Sequence, residues 1–197
     1  MEKAKTKVRI VLPGLPEDQS SWPHIGYDYL KRADEITSAL EIALPEIEFS
    51  KVVYYSLEEV QAGYENDEKG KYDGYLVYLS CIWTDIPFFY ARTAKPVVIS
   101  NQLYSGCGDY LKSIEIINQE NLPIPCISSS DFQDTVDLVK LFDVKKKISS
   151  SKILIFSDAP QDAQWGATPE KLDAVEKVFG LEVAIAGSKG QISGKLG

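Results

Sequence analysis

The chain has 197 residues, 44% of them apolar and 25% charged, a composition that suits one globular domain or one domain plus part of another. A formal net charge of −8 excludes a broad basic footprint for nucleic acid and disfavours an anionic membrane surface. No apolar run approaches the ~20 residues that span a bilayer, and Met1–Lys5 leads into a strand-like run without a signal-peptide core. The three cysteines include no C-x-x-C pair, so a disulfide framework or zinc ribbon is not expected and the expected setting is the reducing cytoplasm.

In chain order, Val8–Leu12 reads as a strand ended by Pro13-Gly14. A polar loop through Trp22, Pro23, His24 and Gly26 follows. Apolar residues at Tyr27, Leu30, Ala33, Ile36, Leu40 and Leu44 then mark one helix face. A second strand covers 47–55, and Ser56 with Glu59 forms a capping box for the next helix. The third strand, 74–79, is apolar on both faces, as a buried parallel strand is. Ser80–Thr84 leaves it towards a short helix through Phe88, Phe89 and Ala91.

The fourth strand is 96–100, and the loop Asn101–Gly108 leads to a helix carrying Tyr110, Leu111, Ile114 and Ile117. A fifth strand, 124–127, holds two prolines and is expected at a sheet edge. Ser130-Asp131 caps a helix with Phe132, Val136, Val139 and Phe142.

Five strand–helix units predict a doubly wound, mostly parallel α/β sheet with the flavodoxin-like order 2-1-3-4-5, over about residues 1–148. Lys145–Ser151 is polar and of low complexity and reads as a boundary. A β-α-β unit resumes in 149–197: a strand at 153–156, a helix at 169–179 capped by Thr168 and ended by Gly180, and a strand at 181–185. It opens a second, incomplete sheet, with extension of the first sheet as the alternative. The glycine- and serine-rich residues 187–197 read as a tail.

His24 is the only histidine, so any Ser-His-Asp or Cys-His site has to use it, and a multi-histidine metal site within the chain is excluded. The first strand–helix turn is neither a dinucleotide nor a P-loop signature. The glycines of Ser105-Gly106-Cys107-Gly108 either bring backbone N–H groups to an anion at a helix N-terminus or make a tight turn with a helix cap. Cys81 and Cys107 lie just past strand ends, without an evident base. Asp85, Asp109, Asp158 and Asp162 fall in or near exit loops but lack the spacing of a metal loop. Trp22, Trp83 and Trp165 each follow a strand C-terminus, where open parallel sheets bind ligands. An indole there offers an apolar platform, or else plugs the sheet edge or a subunit contact.

Several of these segments resemble one family. Tyr72-Asp73-Gly74 through Thr84, Lys95–Val98, the Ser105–Gly108 loop, Ser128–Phe132, Lys152–Ile155 and Gly166–Glu170 resemble the N-terminal region of the L-fucose isomerase and L-arabinose isomerase superfamily, over most of 7–186. The resemblance implies an oligomeric, Mn²⁺-dependent aldose–ketose isomerase whose metal ligands lie in later domains, so no catalytic residue, metal ligand or cofactor is expected in this chain. It implies a substrate-recognition and assembly domain, inactive alone, with sugar contacts from Trp83, Thr84, His24, Asn101, Gln102, Ser105 and Gly106. The alternative is a stand-alone flavodoxin-like module for a small molecule or nucleotide.

Overall fold

Two sheets organise the chain. The computed structural model describes residues 4–19, 23–67, 71–156 and 168–186, and the backbone of 192 and 193. Two compact units, 1–142 and 143–197, divide it.

In the first unit, β1 (Thr6–Pro13), β2 (Ile47–Tyr54), β3 (Gly74–Leu79), β4 (Val97–Asn101) and β5 (Cys126–Ser128) form an all-parallel sheet in the order β2-β1-β3-β4-β5. Helices α1 (Tyr29–Ala43), α2 (Leu57–Asp67), α3 (Ile86–Ala91), α4 (Cys107–Glu120) and α5 (Phe132–Ser149) connect and cover it. This is the doubly wound, flavodoxin-like arrangement. β1 pairs with both β2 and β3, and β5 lies at the edge, where Pro125 needs no donor and its carbonyl accepts from the Ile99 N–H at 3.1 Å.

Strand alternation sorts the core into two layers. Val8, Ile10, Leu12, Leu76, Tyr78 and Val98 meet Ala33, Ile36 and Leu40 of α1 and Val136, Val139 and Phe142 of α5. Val11, Tyr75, Val77, Leu79, Val97 and Ile99 meet α2 through Val60 and Tyr64 and α3 through Ile86 and Tyr90. Every residue of β3 is buried, as its two-faced apolar sequence predicts.

Local chemistry sets the helix ends. The Asp28 carboxylate caps α1 by accepting from the Lys31 N–H at 2.8 Å. That start turns Tyr29 inward and leaves Leu30 61% exposed, which corrects the face expected from Tyr27 and Leu30. Ser56 Oγ accepts from the Glu59 N–H at 3.2 Å, while the Glu59 carboxylate reaches the N–H of Tyr55 instead of that of Ser56.

The stretch read as a linker is helical as far as Ser149. Lys146 and Lys147 complement the C-terminal end of the α5 dipole, and Lys147 pairs with Asp143 one turn earlier at 2.5 Å. Hydroxyls of Ser149, Ser150 and Ser151 donate back to the carbonyls of Lys146 and Lys147, which ends the helix.

The second unit holds β6 (Lys152–Phe156), α6 (Pro169–Phe179), β7 (Glu182–Ala186) and β8 (Ile192–Ser193), in a separate sheet of order β6-β7-β8. β6 and β7 are parallel, and β8, inside the stretch read as a tail, is antiparallel to β7. Thr168 caps α6, and Gly180 closes it in the left-handed region at φ +70°. Among the described residues no helix is long and apolar enough to cross a membrane.

Candidate functional site at the carboxyl edge of β3 and β4

In a 2-1-3-4-5 sheet the crevice lies outside the strand C-termini, where β1 and β3 diverge. Here its floor is fastened. Ser80 Oγ and Cys81 Sγ both donate to the carbonyl of Pro13, at 3.4 and 3.1 Å, tying the exit of β3 to that of β1. The wall on the α1 side is polar. Arg32 donates to Gln102 Oε1 at 3.0 Å, to Tyr78 Oη at 3.2 Å and to Glu35 at 3.0 Å, and Tyr27 Oη also donates to Gln102 Oε1 at 3.4 Å. The exposed His24 joins through its ring, edge-on to Tyr27 at 5.5 Å, with Nδ1 2.9 Å from the Ile25 carbonyl. The His24 loop and the β4 exit are thus connected through Tyr27.

The exit of β3 is held in an unfavourable backbone conformation. Trp83 and Asp85 sit at φ +66° and +55°, the left-handed region that L side chains avoid by about 1–2 kcal/mol per residue. Asp109, in the first turn of α4 and only 3% exposed, offsets this cost. Its carboxylate accepts from the backbone N–H of Trp83 at 2.8 Å, that of Thr84 at 3.2 Å, and Thr84 Oγ1 at 3.0 Å. The clamp fixes the Trp83–Thr84 backbone to α4 and leaves the indole 77% exposed.

The neighbouring exit, from β4, repeats the pattern. Tyr104 is at φ +67° and 81% exposed. Beneath it the loop folds inward. Asn101 is buried, and its Nδ2 donates to Ser128 Oγ at 3.0 Å and lies 3.7 Å from Cys107 Sγ. Gly106 has to be glycine because a Cβ there would stand 2.5 Å from Leu79 Cβ and 2.6 Å from the Leu79 carbonyl oxygen.

The seven residues expected to face a sugar therefore divide. Trp83 and His24 are exposed, and Thr84 and Gln102 are half-buried. Asn101, Ser105 and Gly106 are buried and build the loop instead of facing solvent. Arginine only donates, so Arg32 fixes Gln102 with its oxygen towards the guanidinium. The Gln102 amide N–H₂ then points away from Arg32 and makes no hydrogen bond among the described residues.

Sequence reading did not place Tyr104, Arg32 or Tyr27 in the site. Tyr104 lies in the loop already singled out, and its aromatic character was the available signal. Asp109 was read only as a loop carboxylate. Trp22, Asp158, Asp162 and Trp165 lie outside the described residues.

Burial pushes the Cys81 thiol up to about 12, with the Asp109 carboxylate adding to the effect, so this thiol stays protonated. Asp85 is paired with Lys112 at 3.1 Å and Asp109 is committed to the clamp. Among the described residues no three His, Cys, Asp or Glu side chains converge on a metal-sized space. A flavin or nucleotide phosphate at the N-terminus of α1 would meet the Asp28 carboxylate, which already occupies that position.

Comparison with protein-family models gave no match for this chain. No curated protein and no solved structure matched it either.

Proposed function

We propose that the carboxyl edge of β3 and β4 recognises a small polyhydroxylated ligand, a sugar, and that the chain is the N-terminal substrate-recognition and assembly domain of an aldose–ketose isomerase-like protein. The observation that carries the reading is the pair Trp83 and Tyr104. Two large aromatic side chains stand exposed on adjacent strand exits, each on a left-handed backbone that glycine would adopt at lower cost. A C–H-rich sugar face packs on such a ring, and the Gln102 N–H₂ and Thr84 hydroxyl lie nearby in sequence for hydrogen bonds to its hydroxyls. The reading includes a homo-oligomeric, cytoplasmic protein in which catalysis and any metal belong to other domains.

The experiment is a titration of the chain with L-arabinose and L-fucose, followed by the indole N–H resonances. The Trp83 resonance should shift saturably, and Trp83→Ala should weaken binding by about 1 to 3 kcal/mol, the scale of one large apolar contact. No shift with either sugar, or equal affinity in the variant, would overturn the reading.

A further inference from the structure

The strand register sets Ser50, Arg9 and Tyr75 side by side across β2, β1 and β3. Alternation puts Arg9 and Tyr75 on the face of Val11 and Val77, which α2 and α3 cover. Arg9 thus carries a full charge into an apolar layer. One side of its guanidinium is engaged. Nη1 donates to Ser50 Oγ at 3.0 Å and to Tyr72 Oη at 2.9 Å, Ser50 Oγ donates to Tyr72 Oη at 2.9 Å, and the guanidinium carbon lies 5.2 Å from the centre of the Tyr72 ring.

The other side stops short. Asp67, the last residue of α2, places Oδ2 3.7 Å from Arg9 Nε, too far for a hydrogen bond. Both atoms are buried, and neither has a hydrogen-bond partner among the described residues. Tyr75 Oη and Tyr90 Oη are in the same condition. Asp67 is 5% exposed and the two tyrosines not at all. The two phenol rings lie 4.9 Å apart, and the charges of Asp67 and Arg9 act on both, so the four groups form one cluster. Local rearrangement does not close it. Ser50 and Tyr72 pin Arg9, and the Tyr64 ring packs against those of Tyr75 and Tyr90 at 5.6 and 6.0 Å. Each such atom left bare costs about fivefold or more in the folding equilibrium.

We propose that Arg9 Nε, Asp67 Oδ2, Tyr75 Oη and Tyr90 Oη form a buried binding site for ordered water, which joins β1, β3, α2 and α3 through hydrogen bonds. The chemistry of the four atoms selects the ligand. Arginine only donates, an ionised aspartate only accepts, and a phenol does both. Arg9 repels a cation and Asp67 an anion. Water is uncharged, donates and accepts, and takes two to four polar partners when buried. A molecule about 2.9 Å from both Arg9 Nε and Asp67 Oδ2 spans their 3.7 Å gap as the apex of a triangle. Arg9 and Tyr75 belong to the amino-terminal halves of β1 and β3. The site is therefore separate from the Trp83–Tyr104 edge and stands whether or not that edge binds sugar.

The first test is a crystal structure of the full chain at a resolution that shows ordered water. It should hold a water within about 3.2 Å of Asp67 Oδ2 and of at least one other of the four atoms. A monovalent cation in that place, direct hydrogen bonds among the four atoms, or no density between them would overturn the proposal. The second test is a double-substitution cycle read by urea melts. Tyr75→Phe and Tyr90→Phe keep both rings and remove one hydroxyl each, and each should raise the unfolding constant about fivefold. The two hydroxyls do not bond one another, so any coupling between them passes through a shared water. The double variant should fall short of the product of the two single effects by more than about twofold. Effects that multiply to within about twofold would overturn the shared site. Should a variant fail to fold, the crystal structure of the unaltered chain decides alone.

Discussion

Strands β3 and β6 are built from similar residues, Gly-Tyr-Leu-Val-Tyr-Leu and Lys-Ile-Leu-Ile-Phe, and finish in opposite environments. Every residue of β3 is buried. In β6, Ile153, Leu154 and Phe156 are 41, 46 and 78% exposed. Composition does not separate them; position does. β3 has a strand on either side and helices over both faces, whereas β6 is the edge of a three-stranded sheet whose centre is β7. In β7, Val183, Ala184 and Ala186 are buried, as a central strand requires. An apolar run thus states what a strand can bury, and the topology decides what it does bury.

The sharpest way to break this contrast is to truncate a side chain in each strand. Leu76→Ala removes a side chain with no exposed surface and should cost about 2–5 kcal/mol in a urea melt. Phe156→Ser should stay within about 0.5 kcal/mol, the usual range for exposed positions. A large loss at Phe156 would mean that β6 is covered in solution, and the contrast would fail.

A second pair of substitutions compares two glycines. Gly106→Ala forces a methyl against Leu79 Cβ and the Leu79 carbonyl, so backbone must move, and about 1–3 kcal/mol should be lost. Gly180→Ala brings a methyl within a tight 3.3 Å of Ser149 Cβ, which can give by a few tenths of an ångström, and has to hold φ +70°, which costs about 1 kcal/mol. Thermal melts that reversed this order would place the tighter constraint in the second unit.

Much of the first unit is legible in the sequence because each local signal agrees with the topology. The two-faced apolar β3, the prolines around β5 and the cap at Ser56 all point to the observed elements. Where reading failed, two forces competed. Lys145–Ser149 has the composition of a linker, but its lysines are good helix formers placed to meet the α5 dipole. Leu30 has the spacing of a core residue, but the Asp28 cap sets the phase and selects Tyr29. The site was legible only as a pair of loops. Which side chains point out depends on backbone torsions at Trp83 and Tyr104 and on the Asp109 clamp, a contact 25 to 26 residues apart that no local pattern encodes.

The units also differ in their response to alkali. Burial raises Cys81 to about 12, and it raises Tyr75 and Tyr90 above the ordinary phenol value. The second unit has neither cysteine nor tyrosine. An unfolded thiol titrates near about 8.5, so between that value and about 12 the folded chain holds the Cys81 proton more tightly than the unfolded chain does. The stability from this group is complete below about pH 8.5 and is lost as pH rises through the window, by about 1.4 kcal/mol per unit. Cys126, whose thiol burial raises to about 11, adds to the same loss. Urea melts from pH 8 to 10 should show a falling stability, and Cys81→Ala should make the slope shallower. An unchanged slope in Cys81→Ala would move the alkaline sensitivity to Cys126, which Cys126→Ala would then report.

The smallest effect is the one that bears most directly on function, because stability and binding should move in opposite directions. Trp83 holds a left-handed backbone that costs a bulky residue about 1–2 kcal/mol, and its indole, 77% exposed, makes few core contacts to offset that cost. Glycine adopts the same torsion freely but loses more chain entropy on folding. Trp83→Gly should therefore stabilise the first unit by about 1 kcal/mol or less, whereas Leu76→Ala nearby in the same unit destabilises it. Trp83→Ala separates the causes, since alanine removes the ring and keeps the strained torsion. A gain with glycine, none with alanine, and equal loss of sugar affinity in both would show strain held at the recognition edge for the sake of the ring. If glycine instead destabilises the fold, the indole is packing against something in solution, and the aromatic pair belongs to an interface, not to a ligand site.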